Sequence, residues 1–97
     1  MAKQYFVYMM TNAHHTVLYT GMTGDIIRRG WQHKQRQKKS FTKRYNVTKM
    51  VYAEECATAD DAIAREKQIK RWTRKKKDAL INRVNPEWRD LYDDSFK

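Results

Sequence analysis

Residues 4–21, QYFVYMMTNAHHTVLYTG, decide the fold. A run of aromatic, β-branched and thioether residues at 4–10 gives way to the turn material Thr11-Asn12-Ala13-His14-His15, and a second such run fills 16–21. These side chains suit a pleated, half-buried surface, and two runs around a short polar loop read as an antiparallel hairpin. The hairpin sets Tyr8 and Tyr19 on adjacent strands, close enough for their hydroxyls to approach. Directly after Tyr19, Thr20-Gly21 lets the backbone turn sharply or come close to a neighbouring group.

Downstream the periodicity changes. Thr23-Gly24-Asp25 offers capping groups, and Ile26, Ile27, Gly30 and Trp31 recur at helical spacing, which predicts a helix over about 25–37. Residues 35–45 are polar and cationic and read as a loop. Residues 47–55 alternate as a third strand. Thr58-Ala59-Asp60-Asp61 caps a second helix, with carboxylates in its first turn where the helix dipole favours them. That helix runs to about residue 73, where the cations of TRKKK close it; ALINRV forms a further short helix that stops before Asn85-Pro86. A sequence in the order β-β-α-β-α-α predicts an α/β (α+β) fold: a three-stranded antiparallel sheet flanked by helices. Residues 1–97 read as one domain, ending in an acidic, aromatic tail from about 86, whose Trp88 and Leu91 cover the core.

Lys+Arg 21 against Asp+Glu 11 leaves a net charge of +10, and 40% hydrophobic residues set the chain apart from a disordered basic tail. Such a surface points to polyanions, because each cation laid near a phosphate displaces condensed counterions. No apolar run approaches the roughly 18 residues of a membrane-spanning helix, and the start of the chain lacks a signal-peptide pattern, so the expectation is a cytoplasmic monomer. Cys56 is a lone cysteine, which excludes an internal disulfide and reads as an apolar filler.

Stepping by three and four through AIAREKQIKRW at 62–72 produces an apolar stripe, Ala59, Ala62, Ile63, Glu66, Ile69 and Trp72, with a carboxylate in its middle. Burying an unpaired charge costs several kcal/mol, so Glu66 has a cationic partner, binds a metal or lines a cleft. As a structural ion pair, its partner is Lys70, one turn on, or Arg29. Arg29 and His33 project from one face of the first helix. Two phenols, a guanidinium, an imidazole and a carboxylate suit phosphodiester hydrolysis, which needs activation of a water, a cation for the charge growing on the phosphoryl oxygens, and often a divalent ion. Lys38, Lys39, Lys43 and Arg44 interleave with Phe41 and Tyr45 in a cation-plus-stacking pattern suited to unpaired nucleotides. His14 and His15 lack further ligands at metal spacing and read as surface residues.

FVY at 6–8, YTG at 19–21, Arg29 with His33, and Glu66 on a later helix resemble the GIY-YIG nuclease superfamily. REKQIKRW and the NPEWRDL ending resemble its small stand-alone bacterial members. The resemblance implies that Tyr8 acts as general base or orients the water, and that Tyr19 orients the water or phosphate. It gives Gly21 the close approach of backbone and substrate, and Arg29 the contact to the scissile phosphate. His33 stands where a tyrosine or histidine relays a proton. Glu66 matches the single ligand of a Mg²⁺ or Mn²⁺ ion. Phe6, Val7 and Thr20 depart from the tripeptides at strand positions that tolerate bulk; Met22 departs more seriously, because many members carry a lysine there. The expected activity is a metal-dependent DNA endonuclease on single-stranded or branched DNA in repair or recombination, with RNA as an open alternative. The rival reading is a catalytically idle nucleic-acid-binding module of the same fold.

Overall fold

The computed structural model describes residues 4–35 and 47–92, with the side chains of 32–35 left out. Three strands, β1 (Tyr5–Thr11), β2 (Leu18–Thr23) and β3 (Lys49–Cys56), form one sheet in the order β2-β1-β3, antiparallel throughout. The helices are α1 (Ile26–Gln35), α2 (Ala59–Lys70) and α3 (Arg74–Val84). The order β-β-α-β-α-α is the expected one.

The hairpin forms where the sequence puts it because Asn12 organises the turn. Its side-chain oxygen accepts the Thr16 amide at 2.8 Å, and its amide group donates to the Thr16 hydroxyl at 2.6 Å. Thr11, fully buried, donates to the Val17 carbonyl at 2.8 Å and closes the loop from inside. Asp25 caps α1 by accepting the Arg28 amide at 3.1 Å, and Thr58 caps α2 by accepting the Asp61 amide at 3.1 Å.

Side-chain alternation along β1 divides the interior in two. Val7 and Met9 face Ala62 and Ile69 of α2, Ile81 of α3 and Trp88 of the tail. Tyr8 and Met10 face Ile26 of α1, with Val47, Met50 and the ring of Tyr92. The sheet therefore carries helices on both faces, and the helix that bears Arg29 lies across the sheet from the one that bears Glu66. A bulge breaks the β1–β3 register: Met9 pairs with Tyr52 and Met10 with Met50, so Val51 is the extra residue. Val51 and Tyr52 consequently join the same core cluster instead of alternating.

Two expectations need correction. TRKKK does not end α2; Thr73 accepts the Lys76 amide at 3.2 Å and caps α3, which makes that helix longer than ALINRV alone. His15 is not a plain surface residue: its backbone is left-handed (φ 58°), and its ring lies 4.8 Å from that of Trp88, itself left-handed (φ 54°). Arg74 donates to the carbonyls of His15 and Thr16, at 2.5 and 3.3 Å, with its guanidinium 5.9 Å from the Trp88 ring. The start of α3 thus holds the hairpin turn and the tail together. Asn85 pins the tail from the other side, donating to the Val51 and Arg89 carbonyls at 3.0 and 2.9 Å.

Candidate active site

The pairing of β1 with β2 builds the first part of the site. Tyr8 lies opposite Gly21, and both face the α1 side of the sheet. A Cβ built on Gly21 would stand 2.7 Å from the Tyr8 hydroxyl oxygen, 2.8 Å from its Cζ and 3.0 Å from Cε1 of Tyr19. The two rings close over the glycine, their centroids 6.2 Å apart and inclined by 46°. The space above the glycine is filled by two phenols, so Gly21 gives the rings of Tyr8 and Tyr19 their close approach to the strand.

Tyr8 is fully buried, and that burial is the main reason its phenol is pushed far above the ordinary tyrosine value. Tyr19 pushes in the same direction, through its charge and through a hydrogen bond that holds the Tyr8 proton. Arg29 pulls the value down and Glu66 pushes it up. One phenol therefore feels both the guanidinium from α1 and the carboxylate from α2. Its hydroxyl end reaches over Gly21 of β2, an edge strand, and there the two faces of the sheet come within electrostatic reach of each other.

Glu66 occupies a different position on α2 from the one the stripe implied. Ala62 and Ile69 are fully buried, whereas Ile63 is 40% exposed and the Glu66 side chain 19% exposed. The carboxylate sits at the rim of the buried face and takes the partner one turn away, Lys70, at 3.6 Å. A partly exposed i,i+4 pair contributes only a few tenths of a kcal/mol and yields readily to a stronger cation. Among the described residues, no three of His, Cys, Asp and Glu gather into a metal-binding group. A lone, partly solvated carboxylate fits an ion that keeps most of its water and takes one protein ligand, as Mg²⁺ does.

Met22 is half-buried and packs in the cluster on the α2 side, next in sequence to Gly21 but pointing to the opposite face from Tyr8 and Tyr19. His33 lies on α1, four residues after Arg29; its side chain is outside the described residues, as are Lys38, Lys39, Phe41, Lys43, Arg44 and Tyr45. Sequence reasoning missed a second carboxylate cluster. Arg65 binds Glu54 through Nε at 3.0 Å, and Glu54 also accepts the Tyr52 hydroxyl. Burial and the bond to Glu54 raise the Tyr52 phenol to about 12. These residues belong to β3 and α2 and tie the helix to the sheet. The pairing between positions 54 and 65 has no local sequence signal.

The model of the GIY-YIG catalytic domain matches residues 4–79. The chain is 34% identical over 70 residues to a UPF0213 protein of Bacillus pumilus, covering 72% of this chain and 71% of the relative. It is 32% identical over 81 residues to a UPF0213 protein of Natronomonas pharaonis, covering 84% and 94%. The solution NMR structure of a UPF0213 protein from Bacillus halodurans superposes with a TM-score of 0.58 at 22% identity, over 91% of this chain and 93% of that one. That likeness establishes the shared fold.

Proposed function

The chain belongs to the GIY-YIG catalytic domain family, a nuclease family, and on that premise we propose that it is a metal-dependent endonuclease that hydrolyses phosphodiester bonds of single-stranded or branched DNA. The observation that carries the proposal is the environment of Tyr8: a buried phenol, bonded to a second phenol over a glycine, that feels a guanidinium and a carboxylate from helices on opposite faces of the sheet.

Each group then has a chemical task. Arg29 presents a fixed fork of donors to the non-bridging phosphate oxygens and stabilises the charge that grows there. Tyr8 and Tyr19 orient the attacking water. With its proton held by the hydrogen bond to Tyr19, Tyr8 works in the resting site as a donor; it takes the water's proton only as a phenolate, once its own proton has passed to solvent, a state that positive charge beside it favours by offsetting its desolvation. The new bond joins the water oxygen to phosphorus, the bond from phosphorus to the bridging oxygen breaks, and His33 returns a proton to that leaving oxygen. Glu66 would hold a Mg²⁺ or Mn²⁺ ion, exchanging Lys70 for it, and such an ion supplies Lewis-acid charge beside the reacting phosphate. The basic segment with Lys38, Lys39, Phe41, Lys43, Arg44 and Tyr45 would grip the flanking strand.

One sheet with two core clusters supports a single domain spanning the chain. Among the described residues, no helix is long and apolar enough to cross a membrane. A monomer acting in the cytoplasm, in repair or recombination, is part of the same proposal. Met22 favours one competing reading, a nucleic-acid-binding module without turnover, because its side chain is committed to core packing and supplies no cation. A panel of labelled single-stranded, flapped, branched and duplex DNA, incubated with Mg²⁺, Mn²⁺ or EDTA, tests the proposal. Cleavage confined to the metal-containing reactions is expected, and binding without cleavage would favour the module.

A further inference from the structure

Outside the candidate active site, one surface groove combines an aromatic wall with cations. Trp72, Lys76, Ala79, Leu80 and Arg83 line it. Four of these follow at helical spacing along α3, at 76, 79, 80 and 83, and Trp72 closes the end from the turn that precedes the helix. Trp72 and Leu80 are half-buried against the main core, so the apolar floor is fixed, whereas Lys76, Ala79 and Arg83 are exposed. The indole is already read by cations: the Lys76 ammonium lies 4.4 Å from its ring centroid and the Arg65 guanidinium 5.2 Å. No carboxylate lines the groove among the described residues. Lys76 and Arg83 are seven residues apart, about 10 Å along the helix axis.

We propose that this groove seats an unpaired nucleotide of single-stranded DNA, the base against Trp72 and Leu80 and the adjoining phosphates on Lys76 and Arg83. Charge complementarity selects the occupant. An apolar floor alone would suit a hydrophobic peptide, but a rim of cations without a compensating acid matches a flat base joined to anionic phosphates. A base replaces the exposed Lys76 ammonium over the indole while that ammonium turns to a phosphate, so both interactions are used. The site extends the nucleic-acid reading of the candidate active site and does not depend on catalysis. It would hold a strand away from the reacting linkage and favour unpaired substrates.

The test is fluorescence anisotropy of the full-length protein with labelled oligothymidylate in EDTA, where cleavage is suppressed, so failure of the nuclease reading leaves this measurement intact. Arg83→Glu changes an exposed side chain and is expected to weaken binding about tenfold. Lys67→Glu, an equal charge change on the exposed side of α2, is expected to weaken it much less. Trp72→Leu keeps an apolar filler and removes the stacking surface; should it fail to fold, Arg83→Glu still decides. A strand carrying 5-iodouracil is expected to photo-crosslink at Trp72. Equal losses from Arg83→Glu and Lys67→Glu, or crosslinks that spare Trp72, would overturn the site. Tighter capture of oligouridylate than of oligothymidylate, or equal losses with duplex DNA, would overturn its assignment to single-stranded DNA.

Discussion

The hydroxyl of Tyr8 rests over Gly21, 2.7 Å from where a Cβ would stand, so the phenol and the glycine occupy one site between them. The contact explains why a glycine sits in the middle of a paired strand, where it weakens the ladder unless something approaches closely. Gly21→Ala forces the ring and the backbone apart, and neither is the loose end of a flexible side chain. Overpacking of this kind costs about 1–3 kcal/mol. The expected outcome in urea denaturation is a loss in that range, with cleavage falling by more than the folded fraction does because Tyr8 and Tyr19 lose their positions. Wild-type stability in the alanine variant would contradict the contact.

Thr20 presents the opposite case. Its hydroxyl is buried and finds no hydrogen-bond partner among the described residues. A stranded polar group costs about 1–3 kcal/mol, and valine has the same shape without it. Thr20→Val should raise the melting temperature by several degrees in calorimetry, since about 1 kcal/mol corresponds to roughly 4–8 °C in a chain of this size. An unchanged or lower value would mean that the hydroxyl has a partner in solution.

Asn85 shows how much a single buried amide can hold. It is 6% exposed, donates to two carbonyls and accepts the Arg89 amide at 3.1 Å. Asn85→Ala removes these bonds to β3 and the tail, at an expected cost of about 2–3 kcal/mol. Hydrogen exchange should show the Arg89 amide losing protection first. A variant that keeps its protection there would place the anchoring elsewhere.

Tyr52 contributes to the alkaline limb of stability. Its phenol is raised from 10.0 to about 12 in the folded chain, by burial first and then by the Glu54 carboxylate it donates to. A raised acid contributes stability that is complete below the unfolded value and disappears as the pH climbs through the folded one. Denaturation midpoints should therefore fall between about pH 10 and pH 12, and Tyr52→Phe should flatten that fall. An equally steep decline in the phenylalanine variant would assign it to other groups, Tyr8 first among them, since its phenol is raised in the same sense.

The parts of the molecule that depend on local chemistry were legible in the sequence. Asn12 at the turn, Asp25 and Thr58 at the helix starts, and the apolar run of β1 each announce themselves within a few residues. The start of α3 was not, because TRKKK satisfies two rules at once: cations suit the end of one helix, while Thr73 suits the cap of the next, and only the packing of Arg74 onto the hairpin turn decides between them. The bulge at Val51 and the Glu54–Arg65 pair were invisible for a different reason, being set by partners on other elements. At the candidate site, helical spacing alone offered Lys70 as a partner of Glu66, and the hairpin alone set Tyr8 beside Tyr19; that both rings close over Gly21 depends on the exact strand register and has no local signal.

In the proposed mechanism Arg29 and Glu66, on helices from opposite faces of the sheet, serve one reaction with Tyr8. Single-turnover cleavage of labelled single-stranded DNA in Mg²⁺ or Mn²⁺, run on wild type, Arg29→Ala and Glu66→Gln purified side by side, measures it most directly. Losses of about 10²–10³-fold are expected for Arg29→Ala, with binding in EDTA nearly retained, and a Glu66→Gln rate that recovers in part as the metal concentration rises. Equal cleavage by all three proteins would contradict it.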